Sequence, residues 1–403
     1  MTKLTRKLAN DSAVPMAGPL VVAALFVSVL ARPTIALAGP PIIVGDGTAA
    51  SCVQLTLWNA LHSADLQGGG TILFRCGQAP VTIVLTATEQ DPTIGLLALR
   101  LPDNTRIDGG GRVTLQGAYP MGVSLVVNPD SSVVLRNLTI TLGSREDPTV
   151  LNSGTLTIEN TTFSDNVSHA IKNDGILIVR NSVFSHNGHF PSATIVNNGR
   201  GTIVNSTFVS NLGGEGGAIY NLGTLDVKNS TFSGNTADGD GGAISSWGAL
   251  TVSNCVFSYN YASVGVGGAI FNGGDSFTVR HSTFVGNVVN GAGGGALFNY
   301  VGSSATVASS SFLKNKGAFG GGILTYGPLT ITGSLFSGNH AHRGGAIETS
   351  TDDDVAMIVK NTTITANSAD QDGGGISIKN GPSPILIRSS VTGNTPNDIG
   401  PEL

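Results

Sequence analysis

The sequence predicts an all-β chain wound as a right-handed parallel β-helix of about 11–12 coils, with a helical cap at its N-terminal end. Three observations carry that expectation. An F-x-x-N unit recurs at Phe163/Asn166, Phe184/Asn187, Phe208/Asn211, Phe232/Asn235, Phe257/Asn260, Phe284/Asn287, Phe312/Asn315 and Phe336/Asn339. Degenerate copies follow at Ile364/Asn367 and Val391/Asn394, and Ile140 in RNLTI fills the aromatic slot of a fainter early copy. From Phe163 onward, successive copies lie 21 to 28 residues apart without a break. Between them run short alternating segments such as TLDVKN and GGAIYN, bounded by Gly, Asn and Ser. That is strand patterning punctuated by turn chemistry. No segment between copies carries a helical period of useful length, which argues against leucine-rich and βαβ repeats.

The elements follow in chain order. Residues 1–38 read as a signal peptide: Lys3, Arg6 and Lys7 open it, an apolar run spans Pro19 to Ala31, and Ala36-Leu37-Ala38 offers a cleavage site. The run is short for a membrane span. The mature chain is therefore expected to start at Gly39, to hold no transmembrane span, and to be secreted or retained at the cell envelope or cell surface. Residues 39–105 form a cap and lead-in segment. Within CVQLTLWNALHSAD, Leu57, Ala60, Leu61 and Ala64 recur at helical spacing, and a Cys52–Cys76 disulfide is expected to tie that helix down. Residues 106–403 are the β-helix repeats.

Stacked coils place equivalent residues above one another, about 4.8 Å apart. Phe163 through Phe336 then form an internal aromatic stack. Asn166 through Asn394 form an amide ladder at a sharp turn, where Asn also tolerates a left-handed backbone. Ile219, Ile244, Ile270, Leu297, Ile323, Ile347 and Ile376 supply a second inward column after the Gly-Gly turns. Cys255 fills the slot of Ser206 and Ser230 and is expected to be a small packed residue. The sequons at Asn137, Asn160, Asn205, Asn229 and Asn361 recur because the coil recurs, so they read as architecture rather than glycosylation. The closing NDIGPEL offers no substantial cap.

Charge narrows the function. The net charge is −5, and the first 38 residues hold four bases against one acid, so the remainder is more acidic still. With no basic patch, a nucleic-acid partner is not expected. Glu215 and Asp240 precede the Gly-Gly-Ala unit in consecutive coils, Asp238 lies two residues before Asp240, and Asp372 takes the same column beside Asp370. Glu215, Asp238 and Asp240 are the set that would hold calcium, the one cofactor considered. The same three acids with His342 of NHAHRGG are the catalytic candidates, against the plainer reading of a solvated Asp/Gly turn. Val266, Gly293, Phe319 and Arg343 interrupt the column, and spacing places no acid beside His340 or His342. His169, His186 and His189 fall on other coils, and Asp352–Asp354 reads as a solvated loop.

The recurring GGA[I/L] and FxxN motifs over roughly residues 135–395 resemble the repeats of chlamydial polymorphic outer-membrane proteins. AASCVQLTLWNAL, GGGTILFRCG and TRIDGGGRVTLQG resemble the start of bacterial secreted proteins of the right-handed β-helix class, whose broader fold kin are pectate lyases and polygalacturonases. The resemblance implies an exported β-helix used for adhesion or surface display. Nothing after Asn394 is long enough for a membrane-barrel hairpin, so release or non-covalent surface association is expected. The paired-Asp, Gly-His-Gly and Arg-Ile-Lys signatures of polygalacturonases are missing, as are the Asp-His and Arg-x-Pro segments of pectate lyases. The expected function is non-enzymatic: adhesion, glycan contact or display toward an extracellular polysaccharide or surface protein. The alternative is a polysaccharide lyase or glycoside hydrolase.

Overall fold

One coil shows how the repeat folds. Thr224–Lys228 runs extended with Leu225 and Val227 inward, and Asn229 turns the chain at φ 51°. Thr231–Ser233 then points Phe232 inward, and Gly234 turns again at φ 62° ahead of the buried Asn235. A two-residue strand, Thr236–Ala237, leads to the Gly241–Gly242 turn, and Ile244–Ser246 closes the circuit. Gly241 takes φ 67°, and a Cβ on Gly242 would sit 2.2 Å from the Gly268 carbonyl oxygen of the next coil, so neither position admits a side chain.

The computed structural model describes residues 39–86, 98–118, 124–141, 143, 147–188, 191, 193–350 and 357–400. The signal peptide read in residues 1–38, the Asp352–Asp354 loop and His189 lie outside the described residues. Strands of successive coils pair in parallel and largely in register, as in Phe232↔Phe257 and Ile219↔Ile244. The result is a right-handed parallel β-helix of about eleven turns. Among the described residues, the two strands flanking the Asn229 column build one 25-stranded sheet, and the strands after the Gly-Gly turns build a second of 13. The coils from Leu212 to Val289 add a fourth two-residue strand after the ladder asparagine, because the chain stays extended beside its neighbour before the glycine turn.

Phe163 through Phe336 stack with ring centroids 4.6–5.0 Å apart and planes within 5° of parallel. Ile140 pairs with Phe163 at one end, and Ile364 pairs with Phe336 at the other. The expected amide ladder is continuous. It runs Asn166, Asn187, Asn211, Asn235, Asn260, Asn287, Asn315, Asn339, Asn367 and Asn394, each Nδ2 donating to the Oδ1 of the next asparagine at 2.8–3.0 Å. All ten are buried. Asn235 is typical: its Nδ2 also donates to the Phe208 carbonyl at 3.1 Å, while its backbone N–H donates to the same Asn260 oxygen.

Two details correct the sequence reading. The first concerns the left-handed backbone, which the ladder asparagines themselves do not adopt. It falls instead on the residue before each one: His186 before Asn187, Gly286 before Asn287, Lys314 before Asn315, Gly338 before Asn339 and Ala366 before Asn367. Asp165, Ser210, Gly234, Tyr259 and Gly393 do the same for Asn166, Asn211, Asn235, Asn260 and Asn394. The leading asparagine of the N-S-T-F unit is also left-handed, as at Asn205 and Asn229. The ladder residue must aim both its N–H and its amide along the stack, so the strain of the turn sits next door. The second concerns the C-terminal coil, which carries a terminator: Asp398 Oδ1 accepts both the N–H and Nδ2 of Asn394 at 2.9 Å. At the opposite end, Asn166 Oδ1 accepts from Gly143 N–H and Thr149 Oγ1.

A second buried ladder went unread in the sequence. Asn152, Asn173, Asn197 and Asn221 link through Nδ2 to Oδ1 contacts of 2.6–2.7 Å, and Asn221 then donates to Ser246 Oγ. Cys255 is buried in a third column of Ser and Thr residues, where its Sγ accepts from Ser230 N–H, and burial pushes its thiol up to about 11.

The cap is a helix, α1 (Gln54–Leu66), whose buried residues are Leu57, Ala60, Leu61 and Ala64. It packs on strands Ile42–Val44, Gly70–Phe74 and Val81–Leu85, and Cys52 is bonded to Cys76. No described helix is long and apolar enough to cross a membrane.

Candidate functional site

Strand alternation turns one column of the 13-stranded sheet outward. In Ile219–Asn221 the outer residues enter the core and Tyr220 faces out, stacked in register with Val196 and Ser245. Followed along the molecule, this column runs from Leu151 and Lys172 through Val196, Tyr220 and Ser245 to Phe271, Phe298, Leu324 and Glu348. It forms the floor of an outer face with two different halves.

Between Leu151 and Tyr220 the face opens into a cleft of about 780 Å³. Pro148, His169, Ala193 and Glu215 line it from segments before the floor strands, and Asp174 and Asn198 from the turns after them. His169 Nδ1 lies 2.7 Å from the Ala193 carbonyl. Burial lowers its pKa below the ordinary 6.5, the carbonyl bond opposes that, and Lys172 lowers it further. Asn198 Nδ2 donates to Asp174 Oδ1 at 2.6 Å.

Glu215 and Asp240 are neighbours, as expected, yet each grips the next coil. Glu215 Oε2 accepts from Asp240 N–H at 3.1 Å, and Asp240 Oδ1 accepts from Val266 N–H at 2.8 Å. Burial raises both pKa values, and the charge of Asp240 raises that of Glu215 further. Asp238 turns instead to Ser263 Oγ, 2.7 Å away. Among the described residues, no three His, Cys, Asp or Glu side chains converge where a metal ion could be held. His342, half exposed, lies several coils away. Spacing assigned it no acid, but the coil stack brings Asp370 to 3.7 Å from His342 and 3.6 Å from His340.

Beyond Ser245 the face is filled. Phe271, Phe298 and Leu324 point outward yet are only 1%, 4% and 0% exposed, because Val266, Phe319 and Tyr326 pack over them. Trp247 leans over Gly273, with its ring centroid 5.0 Å from Phe271 and 5.8 Å from Tyr300. Past this aromatic cover lies Glu348, a residue the sequence reading missed. Arg343 donates to it at 3.1 Å and rests 4.9 Å above the Phe319 ring. Burial raises the Glu348 carboxyl to about 7 against the opposing pull of Arg343 and Lys379. The visible signal was GGAIETS, which writes an acid into the outward slot.

Residues 122–284 match the family described as "Right handed beta helix region". Among solved structures, the chain is similar to the A-module of the Azotobacter vinelandii mannuronan C-5 epimerase AlgE6, at 15% identity and a TM-score of 0.53, over 89% of this chain and 97% of that one. It is also similar to PfbA, a surface adhesin of Streptococcus pneumoniae, at 10% identity and a TM-score of 0.50, over 87% of this chain and 93% of that one. At these identities the likeness is one of fold. No curated protein sequence matches the chain.

Proposed function

We propose that this protein is an exported β-helix that holds an extended glycan in the open cleft of its outer face, as a contact or adhesion module rather than a catalyst. The observation that carries the reading is the cleft itself. Its floor mixes apolar Leu151 and Val196 with Lys172 and Tyr220, and polar groups line its sides, a combination suited to a chain that is hydroxylated at its edges and apolar on its ring faces. Export is supported by the basic and apolar pattern of residues 1–38 and by the Cys52–Cys76 bond, which persists in oxidising compartments. The fold neighbours include a surface adhesin and an enzyme named for a polysaccharide, which is in keeping with this reading. The acids argue for binding over turnover, since Glu215 and Asp240 spend oxygens on backbone N–H groups of the next coil.

The test incubates the chain from Gly39 with a panel of polysaccharides, with and without calcium, and follows retention together with mass spectrometry of the soluble fraction. Retention without new products is expected. Shortened, unsaturated or epimerised oligosaccharides would overturn the reading in favour of catalysis, with Glu215, Asp240 and His342 the first residues to substitute.

A further inference from the structure

The aromatic cover beyond the cleft also has an outer side. Asp174 and Asn198, which line one edge of the cleft, stand one residue past Asn173 and Asn197, which pair in register. In the following coils the same slot holds Leu222, Trp247, Gly273 and Tyr300, one residue past the register partners Asn221, Ser246, Asn272 and Asn299. The rim therefore runs on without a break and changes from polar to apolar. Leu222, Trp247 and Tyr300 are 47%, 44% and 43% exposed. We infer that Trp247 and Tyr300 form a stacking platform for sugar rings that extends the cleft toward the C-terminal end, an inference that rests on the glycan reading above.

The platform is held in place before any ligand arrives. Gly273 leaves the space that the indole takes, since a Cβ there would sit 2.7 Å from Trp247 Cε3. The indole lies against buried Phe271 and meets Tyr300 at 61°, with centroids 5.8 Å apart. Tyr300 in turn sits 6.1 Å from Phe271 and 6.3 Å from buried Phe298. The backbone N–H groups of Trp247 and Tyr300 donate to the preceding coil at 2.8 Å, so little freedom is left to lose on binding. Among the described residues, nothing hydrogen-bonds to Trp247 Nε1 or to the Tyr300 hydroxyl. Each ring thus offers an apolar body with a free polar tip, which suits a pyranose: its C–H face stacks and its hydroxyls reach the tip.

The shape favours an extended glycan over a protein partner. The slot after the rim is Gly248 and Gly274, where a Cβ would fall 1.9 and 2.2 Å from a carbonyl oxygen of the preceding coil, so bare backbone bounds the row on that side. Less than half of each of three side chains is far below the roughly 800 Å² per partner of a stable protein interface. A glycan lying along the axis needs no such area, because coils rise by about 4.8 Å, close to the length of one sugar unit.

The test uses the fact that the chain holds two tryptophans, Trp58 on α1 and Trp247. Trp58→Phe leaves Trp247 as the sole indole of the chain from Gly39. That protein is titrated with oligosaccharides of β-glucan, mannan, xylan and alginate, from disaccharide to octasaccharide, reading emission and iodide quenching. For at least one series, the longer oligomers should shift Trp247 emission to shorter wavelength, protect it from iodide, and bind more tightly as they reach from cleft to platform. In the parent chain, Trp247→Ala should weaken retention on the matching polymer roughly tenfold, the size of one lost aromatic contact, while Tyr300→Phe, which keeps the ring, retains most of it. Far-UV spectra check the fold of Trp247→Ala, and the emission readout does not depend on that variant. Retention of a glycan with no response from Trp247, or retention indifferent to Trp247→Ala in a folded protein, would overturn the platform and leave the glycan reading standing. An emission shift that follows protein concentration alone would assign the rings to contact between copies and would also overturn it. Retention of no glycan, with Trp247 silent throughout, would sink the glycan reading and the platform with it.

Discussion

Glu348 is buried in the outward column, where the adjacent coils place uncharged Leu324 and Ser377 in the same slot and the next coil also carries Lys379. Its Oε1 is held by Arg343, but among the described residues its Oε2 and Arg343 Nε have no hydrogen-bond partner. The folded carboxyl titrates near 7 instead of the ordinary 4.5, so the folded chain binds the extra proton between those values. Stability from this group is therefore complete below pH 4.5 and lost as the pH rises through about 7. Glu348→Gln should remove that slope, read as the difference between wild-type and variant denaturation midpoints on either side of the window. Equal pH slopes for the two proteins would show that the carboxyl titrates normally. The residue was hard to read from sequence because its outward slot is buried only once the neighbouring coils stack on it.

At the scale of the element, the two asparagine ladders differ in continuity. The F-x-x-N ladder was legible because an aromatic marks every full copy, and it holds even where Ile364 and Val391 replace the ring, at Asn367 and Asn394. The second is written into GGAIYN without such a mark, and its column changes from Asn221 to Ser246 and from Asn299 to Thr325. Ser246 is too short to continue it: its Oγ donates to the Gly248 carbonyl, and among the described residues the buried Oδ1 of Asn272 has no partner. Ser246→Asn should restore the missing link and stabilise the fold by about 1 kcal/mol, measured by denaturant unfolding. A loss of stability would mean that the coil cannot admit the longer amide. The same cross-coil logic explains Asp370. Its meeting with the two histidines depends on how loops of unequal length fall into register, which spacing along the chain does not reveal.

At the scale of the molecule, each coil contacts chiefly its neighbours, so stability is nearly a sum of repeat and interface terms. Leu212 pairs with Thr236, and Phe208 and Phe257 both lie directly on Phe232. Deleting residues 212–235 would join Asn211 to Thr236 and let Asn211 donate to Asn260. The shortened chain should keep its β signature and cooperative unfolding yet lose glycan retention, because Glu215 and Tyr220 leave with the coil. Loss of folding would show that coils are not interchangeable units here. The ladder sets one condition on any such rearrangement. Every Asn-to-Asn bond in it donates toward the C-terminal end, so the stack has a head that accepts and a tail that donates, like a thread cut in one sense. Thr149 and Gly143 answer the head, and Asp398 answers the tail. A coil transplanted to the far end must therefore bring an acceptor of its own, and one grafted at the front must bring a donor, so the two ends of this molecule are not exchangeable parts.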